Sequence, residues 1–280
     1  MLQVVVDSTA DIPANLTRDL DVQVVPVTVR FGNDVYLDGV DLAGDAFYEK
    51  LRASPTLPTT AAPAPADFAV AFRRALDAGR DILAITVSSK VSSTYNSALL
   101  AAAEVGPERV AVVDSLSASM GCGLLALRVA EAARQGASLA EARRLAADLV
   151  PRAHLYVAVD TLESLRRGGR IGHASAWLGT LLNIKPLIAV DDGEVHPVER
   201  IRTLLRCLAR VAEMTGQRAP DGRVAVGYTD APDLVRTLVG LVEQAAPGRE
   251  VIVYQAGPAV GTHAGRGAVG VAFLGSTQRP

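Results

Sequence analysis

Lysine is nearly absent from this chain of 280 residues: of its 28 basic residues, only Lys50, Lys90 and Lys185 are lysine. Where arginine is the default cation, a retained lysine points to a place needing a compact charge. Cysteine is as scarce. Cys122 and Cys207 stand far apart and share no metal-ligand spacing with His154, His173, His196 or His263, so neither a disulfide framework nor a zinc site is expected. An excess of charge is also missing: the net charge of −2 gives no electrostatic reason to expect nucleic acid or an anionic membrane surface as a partner. No apolar run approaches the ~18 residues of a membrane span, and the N-terminus has neither the basic region nor the apolar stretch of a secretory signal. There is no Walker A sequence, no G-x-S-x-G elbow and no internal repeat. A cytoplasmic protein with no metal and no cofactor is the expectation.

What is present is ordinary in bulk and specific in pattern. Hydrophobic residues make up 49% of the chain, enough for a sizeable core. Through the first half, apolar strands alternate with helices. Strands are expected near Val4–Val6, Val22–Val29, Ile82–Val87 and Val110–Val113, and helices over Leu42–Ala53, Ala66–Ala78, from Ser93, Ser119–Arg134 and Leu139–Val150. That rhythm predicts a parallel sheet covered by helices. The stretch from Ser54 to Pro63 is too rich in proline for regular structure.

After residue 153 the texture changes. A β-hairpin at Leu187–Val198 mixes with a strand at Leu155–Val159, a loop at Arg166–Arg170, helices at Arg202–Met214 and Leu234–Ala246, and strands at Val224–Tyr228 and Val251–Tyr254. The expected fold is α/β: an N-terminal parallel-sheet domain over 1–153, then an α+β domain over 154–280 with a mixed or antiparallel sheet.

Five strands end in small hydroxyl residues: Asp7-Ser8-Thr9, Ser88–Thr94, Asp114-Ser115, Asp160-Thr161 and Thr229-Asp230. In an open α/β sheet the carboxyl ends of parallel strands share one edge, and ligands bind where the strand order reverses. Hydroxyls gathered there suit a carboxylate or phosphate. Ser, Thr and Asp are also the preferred helix N-caps, which accounts equally well for any single cluster. The Ser88–Thr94 loop is too long and too hydroxyl-dense for capping alone. Near the end, Gly261–Gly270 spells G-x-G-x-x-G, yet too little chain follows for a dinucleotide fold. It reads instead as a glycine-rich loop presenting His263.

These segments together resemble the DegV family of bacterial fatty-acid-binding proteins. The matches are Asp7-Ser8-Thr9-Ala10-Asp11, Pro58-Thr59-Thr60, Ser88–Tyr95, Asp114-Ser115 with Ser119-Met120-Gly121, Arg167–Ile171, Leu182-Asn183-Ile184-Lys185-Pro186, and Gly257-Pro258 with Gly261-Thr262-His263. The resemblance implies a carrier that binds a long-chain fatty acid between its two domains. The carrier presents the acid to a separate ATP-dependent fatty acid kinase, whose catalytic subunit is its partner, with transient contact to a membrane surface allowed. By the same resemblance Thr60, Ser92 and His263 hold the carboxylate, while Arg170 and Arg202 lie at the site edge or meet the partner. Two departures stand out: Ser93 replaces a glycine in the family's Ser-Gly-Thr triplet, and Ala61, Ala62 and Ala64 replace polar residues around Pro63. Two other readings of the residues stay open. One is a hydrolase or phosphatase built on Ser92 and His263; the other is a regulatory module for a small carboxylate or phosphate.

Overall fold

The computed structural model describes residues 1–179, 184–219 and 222–276. Its first half runs β1 (Leu2–Asp7), α1 (Ala14–Asp19), β2 (Gln23–Val25), β3 (Thr28–Phe31), β4 (Asp34–Leu37), α2 (Gly44–Ala53), β5 (Thr59–Ala61), α3 (Pro65–Asp77), β6 (Asp81–Thr86), α4 (Thr94–Val105), β7 (Val110–Asp114), α5 (Met120–Arg134) and α6 (Leu139–Leu149). Then follow β8 (Ala153–Ala158), α7 (Glu163–Arg167), β9 (Lys185–Asp191), β10 (Glu194–Ile201), α8 (Leu204–Arg218), β11 (Arg223–Tyr228), α9 (Pro232–Ala245), β12 (Glu250–Gln255), α10 (Pro258–Ala264) and β13 (Val269–Leu274).

The expected parallel sheet is present, in the order β2-β1-β6-β7 with every neighbouring pair parallel. Its strands read as continuous apolar runs because both faces are covered. Phe68, Phe72, Ala98 and Ala101 of α3 and α4 close one face, and Cys122, Leu125, Ala142 and Ala146 of α5 and α6 close the other. A capping box starts α6: Ser138 Oγ accepts from Glu141 N at 3.3 Å, and the Glu141 carboxylate accepts from Ser138 N at 2.8 Å. The second sheet is mixed, ordered β10-β9-β8-β13-β11-β12, with only β11 and β12 parallel. Its far face is filled by α8 and α9 through Leu208, Val211, Leu238 and Val242. Helix α5 is apolar on all sides through its first two turns, Met120–Leu127, because it lies between the two sheets. Its Leu125 and Val129 face β1 and β6, and its Met120, Leu124 and Leu127 face Leu155, Ala225 and Ala272.

Several local expectations need correction. Val22–Val29 is not one strand: Pro26, which has no N–H to donate, separates β2 in the parallel sheet from β3 in a small antiparallel sheet ordered β4-β3-β5. The proline-rich stretch contains strand β5, flanked rather than interrupted by Pro58 and Pro63, with Thr60 opposite Val29. Arg166 and Arg167 belong to helix α7, where both bind Glu163, and only Gly168 to Arg170 form the turn. His263 sits on helix α10, which Pro258 opens at its first position, and not on a glycine loop. Strand β13, unexpected from the sequence, runs through the middle of the second sheet. Leu182 and Asn183 lie outside the described residues.

Candidate functional site

The order β2-β1-β6-β7 reverses direction between β1 and β6, and a cavity of about 530 Å³ opens at that point. Its volume falls in the ~300–1,000 Å³ range of ligand pockets. Thr9, Val87, Ser92 and Ser119, from the loops that follow β1, β6 and β7, form one wall. The facing wall is the near surface of the second sheet. Register pairs place Ile188, Val157, Gly270, Gly227 and Tyr254 in one row across β9, β8, β13, β11 and β12, and all five line the cavity. Helix α10 roofs the space with Ala259, Val260 and His263.

One group of polar side chains gathers around Thr60, Ser92, Arg170 and His263. Thr60 Oγ1 and His263 Nε2 share a hydrogen bond of 2.8 Å. Among the described residues His263 Nδ1 is buried without a hydrogen-bond partner, and it faces Gly168, where an added Cβ would stand 2.3 Å away. Burial first, and then the nearby Arg170 guanidinium, push the imidazole down to about 4, so it is neutral at pH 7. With its hydrogen on Nε2 the ring donates to Thr60, whose hydroxyl hydrogen is then free for a ligand oxygen.

Arg170 lines the same space. It is held rigidly by backbone carbonyls, with Nε donating to Val91 O at 3.0 Å and Nη1 to Gly168 O at 2.6 Å. No ion pair among the described residues includes it, so its charge remains available to an anion. Ser92 lines the cavity as well, and its Oγ shares a 2.8 Å hydrogen bond with Thr94 Oγ1. Ser92 and His263 therefore each have another hydroxyl partner, and His263 has no carboxylate behind it. A hydrolytic triad requires both links. Arg202 is exposed between β10 and α8 and does not line the cavity.

The Ser93 departure strains no backbone, since φ −78° and ψ 2° suit any residue, and its side chain adds a group to the cavity wall. Ala61, Ala62 and Ala64 line the mouth and make it more apolar.

The profile of the DegV family, described as one of uncharacterised proteins, matches residues 1–276. The chain belongs to the DegV family. A DegV domain-containing protein of Deinococcus radiodurans is 39% identical over 275 residues, covering 97% of this chain and 98% of that protein. The solved structure described as fatty acid binding of a DegV family protein from Thermus thermophilus is 34% identical. It superposes with a TM-score of 0.87 over 98% of this chain and 99% of that one. DegV from Bacillus subtilis, described as a fatty acid binding protein, is 28% identical with the same TM-score of 0.87, again over 98% and 99% of the two chains.

Behind the DegV cavity lies a group of buried acids, Asp7 and Asp11 of the first motif together with Asp38. Asp7 accepts from Val87 N at 2.9 Å and Thr9 N at 3.0 Å, joining the ends of β1 and β6. Asp11 accepts from Ser119 Oγ at 2.6 Å and Gly257 N at 2.9 Å, and Asp38 accepts from Ser8 Oγ at 2.8 Å. Burial raises all three, Asp11 to about 8 and Asp38 to about 6. Asp11 occupies a left-handed conformation at φ 52°, the one signal that set it apart locally, and that is invisible in sequence. The strand-end hydroxyls thus divide. Ser8 and Ser88 tie loops together, the latter donating to Gly193 O at 2.8 Å, while Thr9, Ser92, Ser119 and Thr229 face the cavity. All three lysines pair with aspartates: Lys50 with Asp34, Lys90 with Asp192 and Lys185 with Asp160. Among the described residues no cluster of His, Cys, Asp and Glu could hold a metal ion, and no helix is long and apolar enough to cross a membrane.

Proposed function

We propose that this chain binds a long-chain fatty acid in the cavity between its two large sheets and presents the carboxylate to a separate ATP-dependent fatty acid kinase in the cytoplasm. The carrying observation is the pairing of an apolar cavity of about 530 Å³ with a hydroxyl, an imidazole and a guanidinium that has no ion pair among the described residues. Those groups suit a carboxylate. Thr60 and Ser92 donate hydroxyls, neutral His263 orients Thr60, and Arg170 supplies the charge. The tail dominates affinity, since each buried methylene contributes about 0.8 kcal/mol and sixteen carbons about 12 kcal/mol before association costs. The descriptions of the Thermus and Bacillus relatives as fatty acid binders support the same reading. The chain itself serves as a carrier and not as an enzyme: it has no phosphate-binding glycine motif to hold ATP. In this reading the chain divides at 153/154, the first residues of β8, with Arg170 at the site edge and exposed Arg202 on the surface that meets the kinase.

Native mass spectrometry of the purified protein tests the proposal directly. A bound mass matching a long-chain fatty acid, released by denaturation, is the expected result. An empty protein that fails to take up added palmitate or oleate would end it. The kinase step is tested separately, by acyl-phosphate formation on reconstitution with a fatty acid kinase and ATP.

A further inference from the structure

The cavity has a polar cluster at Thr60, His263 and Arg170, and Tyr254 lines it from β12. Leu165 and Ile171, which flank the turn carrying Gly168 and Arg170, pack against Ile188 and Val195 of β9 and β10. The polar cluster therefore lies toward the β9 side of the second sheet. From there the row Ile188–Val157–Gly270–Gly227–Tyr254 crosses to β12, the last strand of that sheet. Three inter-strand steps of about 4.8 Å bring this path roughly 14 Å from Ile188 to Gly227, over which the Tyr254 ring lies.

Two features define the far half of this path. Gly270 and Gly227 are direct register partners: Gly270 leaves the floor without a side chain, and Gly227 leaves room for a ring. The Tyr254 ring lies over Gly227, where an added Cβ would stand 2.3 Å from Cζ. Tyr254 is only 7% exposed. Its hydroxyl shares a 2.8 Å hydrogen bond with Ser119 Oγ, and Ser119 donates to Asp11 at 2.6 Å. The ring thus crosses from the edge of the second sheet to the N-terminal loops and seals the gap between them. The hydrogen-bonded chain behind it fixes its position.

We infer that Tyr254 is the end wall of the acyl chamber and sets the longest acyl chain the protein accepts. This rests on the fatty-acid reading above. The bound tail runs from the Thr60–His263 pair over Gly270, and its terminal methyl meets the Tyr254 ring above Gly227. A longer acid would have to leave methylenes outside or displace a ring tied at its hydroxyl.

The experiment is a competition of saturated acids of increasing length, read as bound masses on wild type, Tyr254→Ala, Tyr254→Leu and Tyr254→Phe. Truncation to alanine vacates the ring volume, and each further methylene accommodated there is worth about fourfold in affinity. Tyr254→Ala is expected to shift the preferred length upward, with a change of tenfold or more in the ratio of longer to shorter acid, and Tyr254→Leu by less. Tyr254→Phe keeps the ring and should keep the wild-type preference. Unchanged length preference in a folded Tyr254→Leu or Tyr254→Ala that still binds fatty acid overturns the end wall while leaving fatty-acid binding intact. An upward shift in Tyr254→Phe equal to that in Tyr254→Ala overturns the ring as the limiting element. Wild type that takes up no acid at all removes the functional reading, and this inference with it.

Discussion

The two large sheets build the cavity from opposite resources. The parallel sheet contributes its edge: Thr9, Ser92 and Ser119 stand on loops beyond the strand ends, and the strands themselves are buried under helices. The mixed sheet contributes its face, bare at Gly270 and low enough at Gly227 to take the Tyr254 ring. A sheet edge offers hydroxyls and free backbone donors, which can orient a charged group. A sheet face with a bare patch offers area, which can hold a chain. Head group and tail are therefore separable by mutation in a way that a pocket built from one element would not allow.

The strongest test of that separation is a side chain placed on the bare patch. A Cβ at Gly270 would stand 2.5 Å from the Tyr156 carbonyl oxygen, so Gly270→Val should destabilise the fold by about 1–3 kcal/mol or more and reduce fatty-acid uptake, seen in thermal unfolding and bound mass. The edge is broken by Thr60→Ala with Ser92→Ala. Each lost charge-assisted hydrogen bond is worth about 1.5–3 kcal/mol, so the pair costs about 3–6 kcal/mol against about 12 for the tail. Affinity should fall while uptake at saturating acid persists, and acyl-phosphate formation with a kinase should fall more than tenfold. Unchanged turnover would remove these hydroxyls from the head-group site.

A third test addresses the acids that fasten the edge loops. Asp11 rises from its ordinary 3.8 to about 8 in the folded chain, so its stabilising contribution is full below 3.8 and is lost as pH rises through about 8. Asp7 adds the same sign. His263, pushed from 6.5 down to about 4, works oppositely, and its contribution is lost as pH falls from 6.5 through about 4. Stability should therefore decline between pH 6.5 and 8, and Asp11→Asn should flatten that decline in denaturant titrations. An identical slope in both proteins would show that Asp11 does not carry the proton. The smallest effect belongs to Arg202→Ala. Lying outside the cavity, it should leave fatty-acid affinity unchanged and reduce only the salt-sensitive rate of kinase association.

Much of the edge was legible in the sequence, because strand ends and turn residues are local signals. Asp7-Ser8-Thr9 and Ser88–Thr94 stand where apolar runs stop, and the alternation of strands with helices gave the parallel sheet. The face was not legible. Gly227 and Gly270 lie far apart in the chain and acquire meaning only through the register of β11 against β13, a strand the sequence reading left out. His263 was found for the wrong local reason, as part of a glycine loop, when Pro258 in fact starts a helix. The mouth itself is non-local, joining Thr60 of β5, Ser92 after β6, Arg170 after α7 and His263 of α10, and only the family resemblance brought those positions together.

The fit between Gly168 and His263 carries a last consequence. With only 2.3 Å between a Cβ built at Gly168 and His263 Nδ1, the two positions occupy one volume and cannot vary independently. A chain of this fold that acquired alanine or a larger residue at the first position would have to move or shrink the second. Chains keeping a histidine at the second should be confined to glycine at the first. Paired sequence change, measurable across a family without any assay, would thus trace which relatives keep an imidazole at the mouth.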